Sequence, residues 1–163
     1  MNLGQSNGEI LVKKLGLLIG VIIIIGIVFY FILVQPKLEA ILLGTGLDQK
    51  VAVITLGNNG YQDIELLDIR INGTDEPELA KIQVSETGKG FVISDTFAEE
   101  DYNFKEYNSV KIETGTGTKD VEYHSRYGLS IKSDVEIYSV TIIYKYLGKV
   151  FEENVSINNF MEK

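Results

Sequence analysis

Three features of the sequence predict an all-β, immunoglobulin-like antiparallel sandwich preceded by a single N-terminal transmembrane α-helix. Residues 15–34 form an uninterrupted apolar run. From residue 37 onward, apolar and polar residues alternate with a period of two, which is typical of half-buried strands. Turn-forming Gly and Asn residues separate these alternating segments at short intervals, as they do in sandwich folds.

The apolar run reads LGLLIGVIIIIGIVFYFILV and contains no charged side chain. A helix rises about 1.5 Å per residue, so a run of this length reaches roughly 30 Å, the thickness of a bilayer's hydrocarbon core. In lipid, a helix satisfies its backbone hydrogen bonds internally. We therefore predict a short N-terminal tail over 1–14, a transmembrane helix over 15–34 and a β-sandwich domain over 37–163.

A cleaved signal peptide is the alternative interpretation of this N-terminus. Against it, the apolar run is longer than the roughly 7–15 residues of a signal-peptide core, and no small-residue cleavage motif follows. Lys13 and Lys14 precede the run, whereas only Lys37 follows it closely. The length of the run and the missing cleavage motif predict an uncleaved anchor. Because basic flanks stay on the cytoplasmic side, we predict that this anchor has a cytoplasmic N-terminus and an extracytoplasmic domain.

Composition narrows the function classes. The net charge is −8; residues 1–36 contribute +1 (Lys13 and Lys14 against Glu9), so residues 37–163 carry −9. Phosphates repel such a domain, which disfavours nucleic acid as a partner. The chain has no Cys, which excludes disulfides, thiol catalysis and Cys-ligated zinc, and its single His disfavours a His-based metal site.

The sequence predicts eight or nine short strands among these alternating segments, in chain order: 38–42, 51–56, 64–71, 79–85, 91–94, 110–112, 121–127, 129–131, 135–146 and 151–157. Residues 51–56 are apolar on both faces, so this strand is expected to be central. Residues 121–127 are expected to form an edge strand. Residues 95–108 break the alternation and predict a loop with a helical turn.

The segment 135–146 is the longest alternation and should lie at the centre of the sandwich, with 151–157 as its hairpin partner. We predict that Val140, Ile142 and Tyr144 face the other sheet. Ile143 then lies on the opposite, more exposed face, because successive side chains of a strand point to opposite sides.

Residues 51–73 contain a strand, an Asn-Asn-Gly turn and a second strand that ends in Ile-Asn-Gly. This pattern resembles CARDB-type adhesion modules and the soluble domains of archaeal pilin-like and archaellum accessory proteins. The layout of a helix followed by a sandwich also resembles those pilin-like proteins. The resemblance implies a membrane-anchored, extracytoplasmic β-sandwich module. Leu15, rather than a charged residue, precedes Gly16, so we expect no pilin-type processing there.

Two loops are rich in carboxylates: Asp75, Glu76 and Glu78 in one, and Asp95, Glu99, Glu100 and Asp101 in the other. Neither has the alternating Asp spacing of a calcium loop, so we interpret both as solvated loops, with calcium binding as the alternative. Asp120, His124 and Ser125 supply the residue types of a catalytic triad, but neighbours on a strand diverge. We predict no enzyme active site, no cofactor and no metal.

Tyrosines concentrate in the C-terminal third. Tyr123, Tyr127 and Tyr138 are candidate interface residues, because Tyr combines a large contact area with a polar tip. Packing within the sheets is the alternative role, given the high β-propensity of Tyr. Asn72 and Asn154 each begin an Asn-x-Ser/Thr pattern, which is the acceptor motif for N-glycosylation.

Gly16 and Gly20 form a GxxxG pattern within the apolar run, which can bring two membrane helices into close contact. The sequence as a whole predicts a single-pass, non-enzymatic binding or structural module outside the cytoplasm. Its predicted partners are the lipid bilayer and another protein. Such a module would suit a cell-surface assembly or a homo-oligomer. The alternative is an accessory subunit of a membrane protein complex that acts through its transmembrane helix.

Overall fold

The computed structural model describes residues 4–33, 35–85, 89–117 and 126–157. The chain separates into two compact units, Met1–Gln35 and Pro36–Lys163. The boundary falls at Pro36, whose fixed φ and missing N–H end a helical backbone.

The first unit is one helix, α1, from Gly4 to Leu33. It begins earlier than predicted, since residues 4–14 are helical rather than a separate tail. No proline interrupts these residues, so the helix nucleated by the apolar run propagates backward through them. Within α1, the 20 residues Leu11–Tyr30 have a mean hydropathy of 2.5 and are long and apolar enough to cross a bilayer.

The second unit is an all-β sandwich of two antiparallel sheets, which confirms the predicted fold class. Its described strands are β1 Leu38–Thr45, β2 Val51–Asn58, β3 Ile64–Ile71, β4 Leu79–Val84, β5 Asn103–Glu106, β6 Lys111–Ile112, β7 Tyr127–Lys132, β8 Ser139–Tyr146 and β9 Lys149–Ser156. A short 3₁₀ helix at Tyr107–Ser109 lies between β5 and β6.

One sheet has five strands in the order β1-β2-β7-β4-β5, and the other has four in the order β6-β3-β8-β9. The order β1-β2-β7-β4 matches strands A-B-E-D of an immunoglobulin sandwich, and β6-β3-β8-β9 matches C′-C-F-G. The connections between strands differ from those of an immunoglobulin domain, because β4 and β5 precede β6 along this chain. The spatial arrangement is therefore immunoglobulin-like, with a different path through the outer strands.

The inner faces of both sheets form one apolar core, in which Ile54, Ile82, Leu129 and Ile142 are fully buried. Val140, Ile142 and Tyr144 on β8 face this core as predicted. Ile143 is only half-buried, also as predicted. The hairpin from β8 to β9 turns at Leu147 and Gly148, which both have positive φ, as a two-residue hairpin turn requires.

The strand β2 is buried at every position, which confirms that it is central. Its inner face contributes to the core, and its outer face lies under residues 89–102, which we name the covering segment. The Phe91 ring of this segment lies so close to Gly128 that an added Cβ there would be 2.7 Å from the ring. The five-stranded sheet is therefore packed on both faces.

The covering segment extends to both edges of the sheet. Ile93 reaches β1, where its Cδ1 lies 2.8 Å from the position of a Cβ on Gly44. Phe97 is buried and stacks on Phe104 of β5, with ring centroids 5.5 Å apart. These contacts exclude water from the outer face of β2.

Residues 91–94 were predicted to be a strand and are not one. The backbone of Val92 pairs with the side-chain amide of Gln83: its N–H donates to Oε1 at 2.9 Å, and its carbonyl accepts from Nε2 at 2.7 Å. Gln83 Nε2 also donates a hydrogen bond to Ser130 Oγ at 2.6 Å, which fixes the orientation of the amide. A buried side chain thus satisfies the backbone groups that a neighbouring strand would otherwise have paired.

Two predicted strands differ in extent or position. The long strand predicted over 135–146 begins only at Ser139, because the preceding N–H groups bond to loops: Ile137 to the Gln49 carbonyl and Tyr138 to Asn72 Oδ1. The strand predicted over 129–131 is β7, which lies between β2 and β4. The edge strand predicted over 121–127 lies mostly outside the described residues.

The alternation predicted for 64–71 breaks in the middle. A register shift between Leu66 and Asp68 changes the phase, so that Ile64 and Leu66, and then Ile69 and Ile71, all face the core. A β-bulge of this kind inserts one residue and lets the strand keep its apolar side chains inside.

Candidate interaction surface

The tyrosines predicted as interface residues lie in different environments in the structure. Tyr127 is buried in the core, and this burial raises its pKa above the ordinary value. Tyr138 is exposed, and its hydroxyl donates to the Glu136 carboxylate at 2.5 Å. Tyr123 lies outside the described residues. Of the described candidate tyrosines, only Tyr138 is positioned for contact with a partner.

The described residues bring together no group of three or more Asp, Glu or His side chains that could hold a metal ion. In the acidic loop at 95–101, the Glu99 carboxylate accepts hydrogen bonds from the Ser94 and Thr96 hydroxyls, which lower its pKa. In the other loop, Glu78 pairs with Lys132 at 3.3 Å. Asp120, His124 and Ser125 lie outside the described residues.

A cleft of about 330 Å³ opens beside the 3₁₀ helix and is lined by four carboxylates: Asp68, Glu76, Glu78 and Glu106. Tyr107 also lines the cleft. Burial, and then the carboxylates of Asp68, Glu76 and Glu106, raise the pKa of its phenol. The field in this cleft repels anionic ligands.

The two glycosylation motifs differ in their availability. The side chain of Asn72 is fully engaged, since Nδ2 donates to the Glu136 carbonyl at 2.8 Å and Oδ1 accepts from the Tyr138 N–H at 2.8 Å. Asn154 is exposed on β9 and makes a long contact of 3.5 Å with Thr141 Oγ1. A modification at Asn72 would disrupt a structural turn, whereas Asn154 faces solvent.

Gly16 and Gly20 lie one turn apart on the same face of α1, and an added Cβ at either position would meet no atom within 4 Å. This geometry permits close approach by another helix. The structure contains a single copy of α1, so association with a second helix stays a prediction.

The four edges of the two sheets are protected unequally. Edge strands expose unpaired backbone groups. Proteins prevent unwanted pairing there by keeping edge strands short or by placing charged side chains on them. β5 has four residues and β6 has two. β9 has eight residues but carries Lys149, Glu152 and Glu153. β1 also has eight residues, and its only charged residue is Glu39.

Among the described strands, β1 pairs with β2 alone. The Lys37 carbonyl accepts from the Asn59 N–H at 3.2 Å, so odd-numbered positions direct their groups toward β2. Because these directions alternate along an antiparallel strand, Leu38, Ala40 and Leu42 direct theirs away from β2. No strand in the described part of the chain pairs with that side.

Exposed apolar side chains lie on β1 and beside it. Ile41, Leu43 and Ile93 are 44%, 42% and 42% exposed, and Leu47 in the following turn is fully exposed. The Glu39 carboxylate accepts a hydrogen bond from Asn59 Nδ2, which fixes its position. We name residues 38–42 together with these four apolar side chains the β1 edge.

Sequence reasoning missed this surface. The alternation over 38–42 predicts a strand but not its place in a sheet, and an outermost position depends on the whole topology. A local signal was present in Ile41-Leu42-Leu43, where three large apolar residues follow one another without a charge. At least one of the three must leave the core whichever face is buried, because neighbouring side chains of a strand point to opposite faces.

Comparison of the chain with protein-family models, with curated proteins and with solved structures gives no significant match.

Proposed function

We propose that this chain is a single-pass membrane protein whose sandwich acts outside the cytoplasm as a non-enzymatic binding or structural module, within a cell-surface assembly. The helix anchors the protein in the lipid bilayer, and the sandwich contacts another protein. The observation that carries this proposal is the combination, in one chain, of a membrane-length apolar helix and a β-sandwich whose eight-residue outer strand β1 carries a single charged residue.

Several features of the molecule support the proposal. Lys13 and Lys14 flank the apolar segment on its N-terminal side, which favours a cytoplasmic N-terminus. The acidic sandwich is repelled by anionic headgroups, which favours contact with protein rather than with the membrane surface. Long apolar sheet edges are also sites at which proteins add strands from partners.

The absence of Cys from the chain allows a direct test of topology. Two single-cysteine variants, Asn7→Cys before the apolar segment and Leu47→Cys in the exposed turn after β1, are labelled on intact cells with a membrane-impermeant maleimide. We expect rapid labelling of L47C and labelling of N7C only after lysis. The reverse pattern would overturn the extracytoplasmic placement.

The second candidate function is an accessory subunit that acts through its helix, and the open surface around Gly16 and Gly20 favours it. Replacing residues 15–34 with a polyleucine segment of equal length keeps the anchor but removes the GxxxG face. A partner that co-purifies from native membranes with both forms binds the sandwich. A partner lost only from the polyleucine form binds the helix.

A further inference from the structure

We propose that the sandwich contacts its partner protein through one end, around Tyr138, and that the partner presents an apolar surface bordered by Lys and Arg side chains. Three exposed side chains form this surface, Leu47, Val135 and Tyr138, and we name it the Tyr138 tip. The inference rests on the proposed function, because it requires a sandwich that acts by contacting another protein. It adds the position of the contact and the chemistry of the partner.

The Tyr138 tip exposes large side chains to solvent. Leu47 is fully exposed, and Val135 and Tyr138 are 44% and 47% exposed. Leu47 lies in the turn between β1 and β2, whereas Val135 and Tyr138 lie in the segment 133–138 between β7 and β8. Exposed apolar side chains grouped with a Tyr have the composition of an interface centre, where Tyr is enriched among the residues that dominate binding.

Hydrogen bonds on both sides fix the segment 133–138. On one side, the Ser133 N–H donates to the Lys50 carbonyl at 2.9 Å, which holds the segment against the end of the β1–β2 turn. On the other side, Asn72 Oδ1 accepts from the Tyr138 N–H at 2.8 Å. Because the segment is already ordered, little conformational entropy is lost when a partner binds it.

Carboxylates border the tip. Asp48 follows Leu47, and Asp134 and Glu136 stand on either side of Val135 along the chain. All three acidic residues are exposed, and none of them forms an ion pair within the described part of the chain. Their negative charge is therefore available to cationic groups at the border of an apolar contact.

This charge decides between kinds of partner. The carboxylates repel the phosphates of nucleic acids and the anionic headgroups of a membrane surface. A second copy of this chain would bring the same carboxylates to the contact, and like charges at an interface disfavour a partner. A protein surface with an apolar centre and a basic border complements both the side chains and the charge of the tip.

The opposite end of the sandwich offers a matched comparison. Tyr61, in the turn between β2 and β3, is 73% exposed. This turn lies beside the start of β1, where the Asn59 N–H donates to the Lys37 carbonyl at 3.2 Å. Residues 58–63 contain no other large apolar side chain and a single carboxylate. Tyr61 therefore provides an exposed tyrosine without the apolar neighbours and the acidic border of Tyr138.

Photo-crosslinking of the full chain in its own membrane, on intact cells, tests the position of the contact. The probe is benzoylphenylalanine, incorporated in place of Leu47 or Val135 at the tip, or in place of Tyr61 as the control. A contact of three side chains is smaller than a stable interface of roughly 1,200 Å², so it is transient and leaves L47C reactive in the topology test. Photo-crosslinking traps such a contact covalently, and mass spectrometry then identifies the crosslinked segment.

We expect both tip positions to give a discrete adduct with another protein, at a yield at least roughly tenfold above the yield from Tyr61. The crosslinked segment should contain apolar residues together with Lys or Arg. Raising the salt concentration should lower the yield, because salt screens the attraction between opposite charges. Adducts with a second copy of this chain, adducts with an acidic segment, or a yield that rises with salt would overturn the inference.

Two alanine variants test the apolar centre. Tyr138→Ala should reduce the adduct formed at Leu47 about tenfold, because the ring supplies most of the contact area. Tyr61→Ala removes an exposed ring at the opposite end and should leave that adduct unchanged. Both variants alter exposed side chains, and thermal unfolding in detergent checks that each stays folded. Equal yields in Y138A and Y61A would contradict a contact at Tyr138.

Two double variants test the acidic border. Asp134→Lys with Glu136→Lys should reduce the adduct formed at Leu47 about tenfold or more, because the border then repels a basic partner. The control is Glu100→Lys with Asp101→Lys, at exposed positions of the covering segment, which changes the net charge by the same amount. Equal losses in the two double variants would assign the effect to net charge and overturn recognition by the tip.

The outcomes also separate this inference from the proposed function. Adducts from Tyr61 alone would overturn the tip and keep a sandwich that contacts another protein. If impermeant maleimide labels L47C from outside and none of the three probe positions gives a protein adduct, both the tip and the contact between sandwich and protein are overturned.

Discussion

The outer faces of the two sheets differ in what covers them. The outer face of the five-stranded sheet lies under the covering segment, and Val53 and Thr55 of β2 are buried there. The outer face of the four-stranded sheet is open to solvent and carries ion pairs, including Lys111–Glu65 at 2.8 Å and Arg70–Asp68 at 2.9 Å. One sheet has two dry faces, and the other has one dry face and one wet face.

This difference explains the sequence patterns of the strands. A strand with two dry faces needs apolar residues at consecutive positions, as in β2. A strand with one wet face alternates, as in β8, where Val140, Ile142 and Tyr144 are buried and Lys145 is exposed. A strand that is apolar at nearly every position, as β2 is, therefore indicates a third layer of structure, even where that layer is an irregular segment.

The largest expected loss of stability comes from removing the buried aromatic ring that holds the covering segment on the sheet. Phe97→Ala deletes a buried ring that stacks on Phe104, and such substitutions cost about 3–5 kcal/mol. Thermal unfolding of the full chain in detergent measures the loss. The matched control is Leu67→Ala, on the outer side of the four-stranded sheet and 43% exposed, which should change stability by roughly 0.5 kcal/mol. Similar losses for the two variants would mean that the covering segment contributes little.

The next effect separates the two faces of one strand. Ile142 is fully buried, and Ile142→Ala should cost about 2–5 kcal/mol. Ile143 lies on the wet face, and Ile143→Ala should cost much less. A lower melting temperature for I143A than for I142A would reverse the faces of β8. Equal large losses would mean that the outer face of this sheet is also covered.

The strands were predictable to the extent that burial alternates locally. The two apolar faces of β2 and the inner face of β8 follow from residues 51–56 and from Val140, Ile142 and Tyr144. The phase change at Leu66 in β3 did not follow, because a bulge depends on how the partner strand fits. The pattern Ile64, Leu66, Ile69, Ile71 contains the signal, since its spacing changes from two to three.

The covering segment and the β1 edge were not predictable for a different reason. Gln83 occupies a polar position in an alternating strand, and only the fold shows that its amide pairs with the Val92 backbone. Similarly, β1 is an outermost strand because, among the described strands, it pairs only with β2. Both features arise from contacts between residues far apart in the chain, which local periodicity does not encode.

A smaller effect tests the fit between the covering segment and the sheet. A Cβ on Gly128 would lie 2.7 Å from the Phe91 ring, so Gly128→Ala should cost about 1–3 kcal/mol through overpacking. Phe91→Leu, which shortens the opposing side chain, should recover part of that loss in the double variant. Additive losses in G128A/F91L, measured by thermal unfolding, would mean that the two residues do not press on each other.

The smallest expected effect concerns Glu153, a carboxylate on the half-buried side of β9 whose pKa is raised by burial. Because this pKa is higher in the folded than in the unfolded chain, the stability that protonation provides is complete at acidic pH and is lost as the pH rises through the folded value. Glu153→Gln removes the charged form and should raise the melting temperature at pH 7 but not at about pH 4, below the ordinary value of 4.5 for Glu.

The control for this prediction is Glu152→Gln, the adjacent and exposed residue of the same strand. Both substitutions remove one negative charge from an acidic domain, so the general effect of net charge is the same in each. The gain of E153Q over E152Q at neutral pH isolates the cost of burying a carboxylate at this edge. Equal gains for the two variants would assign the whole effect to net charge, and β9 would then be protected by its exposed charges alone rather than by an inward-facing one.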